Sequence, residues 1–141
     1  MNTLKIIIAV MAVMLFMNQL TIAQSSDQMN KTADNMVKAW NTNDFSYVEA
    51  VTVKDLVRNT NGERVGNSQS DYKAMMNAFH MAYPDLHIIA DKIEINGATL
   101  YAYWTLKGTN TGVLTGNIPT GKKMNIVGHA KWTFKADQVF A

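Results

Sequence analysis

At Pro84 the hydrophobic period of this chain changes from 3.6 residues to 2, and no other feature limits the fold as much. Before it, Tyr72, Met75, Met76 and Phe79 recur at i, i+3, i+4 and i+7, one helical stripe that Ser68 can cap. Pro84 cannot continue that helix, and it biases Tyr83 away from helical geometry. After it, Leu86, Ile88 and Ala90, then Ile93 and Ile95, lead to Asn96-Gly97, a two-residue hairpin signal. The return strand sets Leu100, Ala102, Trp104 and Leu106 against Thr99, Tyr101, Tyr103 and Thr105. A further long strand puts Met124, Ile126, Gly128, Ala130, Trp132 and Phe134 on one face. Its other face carries Asn125, Val127, His129, Lys131 and Thr133. Asp137-Gln138 reads as a turn, with Val139 to Ala141 starting a last element.

Upstream the period is helical. Ser25-x-x-Gln28 has capping-box spacing, and Met29, Ala33, Met36, Val37 and Trp40 share one stripe. The run Asn41 to Asp44 stops that helix, and Asn43 caps a short second one over Asp44 to Val51. Leu56 to Arg58 reads as a short strand, and Asn61-Gly62 as a turn. Helices first and an antiparallel meander afterwards make an α+β pattern. A twisted sheet with helices on one face curls into a half-open cone, and small ligands enter spaces of that kind.

The first 23 residues are expected to lie outside the domain. A short head with one lysine precedes an apolar run from Leu4 to Phe16, and Thr21-Ile22-Ala23 supplies the small-x-small end of a secretory signal peptide. The alternative, a membrane anchor, needs about 20 apolar residues, and Asn18 and Gln19 interrupt the run first. The reading is export to a periplasmic or extracellular space, with membrane contact only through the leader. Removing 23 residues from 141 leaves 118, enough for one domain over 24–141. The net charge falls from +2 to +1 with Lys5, which gives no electrostatic case for nucleic acid or anionic membrane. Cysteine is absent, so disulfides, thiol chemistry and a lipid-anchored cysteine are excluded.

The stretch from Lys107 to Lys123 holds four of the 8 glycines. Gly116, Gly121 and Lys122 satisfy G-x-x-x-x-G-K, but Lys123 stands where a phosphate loop needs Ser or Thr. The loop also enters a period-2 strand rather than a helix, and Pro119 lacks an N–H for a phosphate. It reads as a long connection whose glycines permit turns.

These same segments carry a resemblance. The Tyr83-Pro84-Asp85-Leu86 corner, the Gly108 to Gly112 run, the turn Gly116…Pro119-Thr120-Gly121-Lys122 and Asp137-x-Val139, in this order, resemble the SnoaL-like polyketide cyclase and ester cyclase family. A looser match extends back to about Trp40. The resemblance implies the cone-shaped α+β fold of the nuclear transport factor 2-like superfamily, with N-terminal helices packed on a curved antiparallel sheet. It also implies aldol-type ring closure without metal or organic cofactor. In that chemistry a carboxylate removes a proton next to a carbonyl, while His and amide side chains steady the enolate. The family's last strand brings in an aspartate, whereas this chain stops at Ala141. The aspartate is therefore expected to be absent, and residues 24–141 to lack the end of that strand.

The resemblance implies that His129 lies on a strand carrying a pocket histidine; its polar strand-mates Asn125 and Lys131 favour a solvent-facing one. Asn59 stands where relatives carry histidine, as a pocket amide or an ordinary turn residue. Trp40, Met76, Phe79 and Trp104 line the cavity or form plain core. His80 is read as a helix-edge residue and His87 as exposed; the three histidines show no metal spacing. Three functions stay open: a cyclase or isomerase without cofactor, a binding protein for a small apolar ligand, and an assembly protein. A homodimer is expected in each case. If the leader is cleaved after Ala23, intact-mass and N-terminal analysis of exported protein will find Gln24 first; Met1 retained in exported protein contradicts cleavage.

Overall fold

The computed structural model describes residues 26–141. The leader, its cleavage point and the Ser25 cap therefore lie outside the described residues. Helix α1 spans residues 26–42. It is followed by α2 (Ser46–Glu49), β1 (Arg58–Thr60), β2 (Glu63–Gly66), α3 (Gln69–Ala82), β3 (His87–Asn96), β4 (Thr99–Thr109), β5 (Lys123–Lys135) and β6 (Gln138–Val139). β1 and β2 form a separate hairpin, and β3-β4-β5-β6 form an antiparallel sheet that does not close.

The predicted stripe on α1 is the buried one: Met29, Ala33 and Met36 are closed off, joined by Thr32 and Ala39. The Thr32 hydroxyl is satisfied by the Gln28 carbonyl at 3.0 Å. Asn43 does not cap the next helix. It adopts φ 54°, the left-handed conformation that ends α1. Asp44 organises α2 instead, accepting from the Ser46 N–H at 3.0 Å and hydroxyl at 2.7 Å. α2 is thus shorter than the Asp44 to Val51 expected. Ser68 caps α3 as predicted, its hydroxyl accepting the Asp71 N–H at 3.1 Å.

The core has two parts. Met29 and Ala33 of α1 meet Leu100, Ala102 and Phe134 on one face of the sheet, with Leu56 and Val139. Met36 and Ala39 meet Phe45, Val48, Val51 and Met76 between the helices. Fully burying a side chain the size of Met76 or Leu100 contributes roughly 1.5–3 kcal/mol. These contacts identify the helix-facing side of the sheet, and strand parity extends it along each strand.

Three local features depart from the sequence pattern. The turn after β3 centres on Gly97-Ala98 rather than Asn96-Gly97, since Asn96 pairs with Thr99 and Gly97 takes φ 57°. β3 carries a bulge, with a register shift between Ala90 and Lys92. The bulge explains why the apolar residues switch from even numbers (Ile88, Ala90) to odd (Ile93, Ile95) while staying on one face. The Asp91 carboxylate at the bulge accepts the Thr105 hydroxyl at 2.7 Å. Finally, the expected strand Leu56 to Arg58 gives way to β1 at Arg58, because Leu56 is buried and the Val57 N–H bonds the Phe140 carbonyl. The segment 51–53 runs parallel beside β6, with Val53 N–H on the Val139 carbonyl and Val139 N–H on the Val51 carbonyl. This covers an edge that β6 alone would leave open.

The glycine-rich connection is tied down by one side chain. Asn110 is buried, and its amide oxygen accepts from the Thr120 N–H at 2.8 Å and hydroxyl at 3.1 Å. Its amide nitrogen donates to the carbonyls of Gly112 at 2.9 Å and Ala82 at 3.4 Å. The loop is therefore folded back on the C-terminal end of α3. At its base, Asp85 after Pro84 accepts from the Thr109 N–H at 2.6 Å and hydroxyl at 2.7 Å. Those two hydrogen bonds, hydroxyl first, hold the Asp85 carboxyl below the usual carboxylate range.

Two outcomes follow for stability. Asn110→Ala removes the side-chain hydrogen bonds that tie Ala82, Gly112 and Thr120 together and costs about 2 kcal/mol in chemical denaturation; a change within experimental error contradicts the tie. Asp85 has a depressed folded pKa, so its contribution is present above the unfolded value and is lost as pH falls through the folded one. The stability gap between wild type and Asp85→Ala is accordingly expected to hold above about pH 5 and to narrow below about pH 4. A gap independent of pH over that window excludes the carboxylate as its source.

Candidate functional site

Trp40 stands at the centre of the helix-side cluster. It lies near the C-terminal end of α1, where it meets the stripe of α3. Its indole N–H donates to the Tyr72 hydroxyl at 2.9 Å. Its ring sits edge-on to Tyr72 (centroids 6.3 Å, 81°) and to Phe79 (5.9 Å, 77°), and stacks on His80 (6.2 Å, 28°). Edge-on and offset geometries are those the ring quadrupoles favour. Phe45 flanks Tyr72 at 6.2 Å, and Tyr83 stacks on Phe79 at 6.4 Å. Met76 is fully buried beneath them.

Across from this cluster lies the sheet. Trp132 packs against both parts of the core, as does Tyr72, and Ile93 and Ile95 pack against the sheet-side part. Trp104 pairs with Ala90 on one side and Gly128 on the other. A Cβ at residue 128 would overlap the Trp104 ring, so glycine lets the indole lie flat over the β5 backbone. Burial varies along this face. Leu100 and Ala102 are closed off, whereas Trp104 and Gly128 are half-buried and Ala90 is exposed. The helices thus close off Leu100 and Ala102 and leave Ile93, Trp132 and the Ala90, Trp104, Gly128 row partly uncovered.

Trp40, Met76 and Phe79 are therefore brought together, with Trp104 on the facing layer. His129 and Asn59 are not among them. His129 is exposed on the opposite side of the sheet, paired with Tyr103 and 6.1 Å from its ring. Parity decides this: with Gly128 and Ala130 facing the helices, the residue between them faces away. With Asp91, Tyr103, Trp104, Val127 and Gly128, it lines an open depression of about 310 Å³. Asn59 is exposed in the two-stranded hairpin, paired with Arg64. A second depression, about 530 Å³, lies near the end of β6 between Thr52, Lys54, Gln69 and Gln138.

Two groups in the helix-side cluster read from the sequence as a helix-edge residue and as part of a stripe, not as site residues. His80 hydrogen-bonds the Trp40 main chain, while its Nε2 is buried and has no partner among the described residues. Burial lowers its pKa, with the Trp40 bond opposing in part. Tyr72 was expected as stripe, yet its part-buried hydroxyl is the partner of the Trp40 indole; desolvation pushes its pKa up. The position of Tyr72 beside Met76 and Phe79 was visible; its indole partner, 32 residues away, was not. Among the described residues no group of three or more His, Cys, Asp or Glu is placed to hold a metal ion.

Comparison with known proteins gives the family. The family model described as SnoaL-like polyketide cyclase matches residues 30–140. No functionally curated protein matches the chain. Among solved structures, TsrD from Streptomyces laurentii superposes with a TM-score of 0.74 at 13% identity, covering 81% of this chain and 84% of its own. AclR from Streptomyces galilaeus gives 0.68 at 23% identity, over 84% of this chain and 75% of that one. A SnoaL-like polyketide cyclase from Agrobacterium tumefaciens gives 0.64 at 17% identity, over 79% and 84%. At these identities the structures establish a shared fold, and the α+β architecture expected from the sequence is the one they have. With the family model spanning nearly all the described residues, the chain belongs to the SnoaL-like polyketide cyclase family.

Proposed function

We propose that this domain binds a small apolar carbonyl compound between its helices and its sheet, with Trp40, Met76 and Phe79 on one side and Trp104 on the other. The reaction class is removal of a proton from the carbon next to the carbonyl, followed by ring closure or isomerisation. In that step the C–H bond breaks, its electron pair moves to make an enolate, and the proton passes to a base. The family match over residues 30–140 carries this reading. The partly accessible aromatic side chains on facing layers support it, because apolar walls with few polar groups are what small-molecule sites consist of. The proposal uses no metal and no organic cofactor.

A second reading, binding without chemistry, is favoured by one observation. Every described carboxylate is exposed or, like Glu94, sits on the outer face of the sheet beside Lys92 and Tyr103. None lies among the helix-facing residues of β3, β4 or β5. Export is part of the proposal and rests on the leader pattern. A homodimer is also part of it, supported by Ile89, Tyr103 and Val127 exposed on the outer sheet face.

Deuterium exchange separates the two readings. Small bicyclic ketones such as 1-tetralone are incubated with the protein in D₂O and followed by proton NMR, with tryptophan fluorescence reporting binding. Catalysis predicts loss of the α-proton signal at least tenfold faster than in buffer, which is about 1.4 kcal/mol off the barrier. Quenching without exchange supports the binding protein. Neither quenching nor exchange across a panel of ketones and esters overturns the site.

A further inference from the structure

We propose that the Tyr72 hydroxyl is the donor that holds the ligand's carbonyl oxygen. The inference rests on the ligand class proposed above and assigns it a specific anchor. The Tyr72 oxygen accepts the Trp40 indole N–H at 2.9 Å, so its own hydrogen must point elsewhere. Among the described residues nothing accepts that hydrogen. The side chain is part-buried, and that hydrogen is left for a water or a ligand to take up. Burial favours the neutral phenol, so the group remains a donor throughout the neutral range. Accepting the indole N–H also polarises the O–H, since hydrogen bonds in a chain strengthen one another.

The position suits a carbonyl. Tyr72 and Trp132, the latter from β5, each pack against both parts of the core. It therefore lies where the helical layer meets the sheet. Phe45 and Trp40 hold its ring from two sides, which fixes the direction of the phenol. Trp40, hydrogen-bonded to that hydroxyl, and Phe79, edge-on to Trp40, supply flat apolar surface. A planar apolar molecule with one strong acceptor matches this set, and the charge of Arg58, which acts on the phenol, suits an electron-rich oxygen at that point.

The test uses 1-tetralone labelled with ¹³C at its carbonyl, with wild type, Tyr72→Phe and Trp40→Phe. Binding to wild type is expected to move the carbonyl resonance downfield, the signature of a hydrogen bond to oxygen. Tyr72→Phe keeps the ring and is expected to abolish the shift and weaken binding about tenfold. Trp40→Phe removes the polarising N–H, and the shift is expected to shrink but persist. A merely structural tyrosine changes affinity without altering the carbonyl resonance. If Tyr72→Phe does not fold, the wild-type shift and its reduction in Trp40→Phe decide the matter. Equal affinity and equal shift in wild type and Tyr72→Phe overturn the assignment while leaving the site standing; a probe that binds without any downfield shift does the same. Failure of wild type to bind the ketone overturns both.

Discussion

Asn41 sets the distance between the helical layer and the sheet. Its amide donates to the Ile88 carbonyl at 3.0 Å and accepts the Ile88 N–H at 2.8 Å, so one side chain pairs with both backbone groups of an edge strand. It does the work of a neighbouring strand there, and satisfies groups that an open edge would expose. Because Asn41 directly follows Trp40 on α1, the clamp also fixes where the indole stands over the helix-facing side of the sheet. At the other end the layers are in full contact through Met29, Ala33, Leu100, Ala102 and Phe134. A helical layer pinned at a strand edge and packed tight at the far end leaves its intermediate stretch less closely covered. Trp104, Ile93 and Trp132 keep accessible surface there.

The two sides of the sheet differ in kind. The helix-facing side is apolar from Ile88 to Trp132. The outer side is threaded with paired polar groups: Lys92 with Glu94, the Tyr103 hydroxyl on Glu94 at 3.1 Å, and the Lys92 ammonium 5.8 Å from the Tyr103 ring centre. These exposed pairs contribute little to stability individually. They do give the exposed Tyr103 hydroxyl a partner on a water-facing surface. His129 belongs to this side, and whatever it does it does from there.

Much of the fold was legible because it is written in local periodicity. The α1 and α3 stripes and the alternation of β4 and β5 need only residues a few positions apart, and each came out on the side the pattern implied. What was not legible depends on distant partners. The bulge at Asp91 is stabilised by Thr105 on the next strand, so β3 alone shows a change of phase without its cause. β2 and β6 are too short to show a period; β6 exists because Val139 pairs with both Phe134 and Thr52. In the site, Met76 and Phe79 follow from helical spacing, and Trp40 joins them through helix packing. The surroundings of the His80 Nε2 and of the Tyr72 hydroxyl, each lacking an acceptor or donor among the described residues, depend on Trp40, on another helix, and no spacing rule reaches that far. For His129 the signal was present: Asn125, four residues before it, and Lys131, two after it, already marked that strand face as polar.

Ligand binding as proposed requires an apolar recess between the helical layer and the uncovered row of the sheet. Xenon reports such recesses directly, since it enters apolar cavities without needing hydrogen bonds. NMR under xenon pressure is predicted to shift the Ile93 methyls and the Trp104 and Trp132 indole N–H signals together, saturating at one site. Shifts confined to Val127 and His129 on the outer face, or none at all, would contradict it.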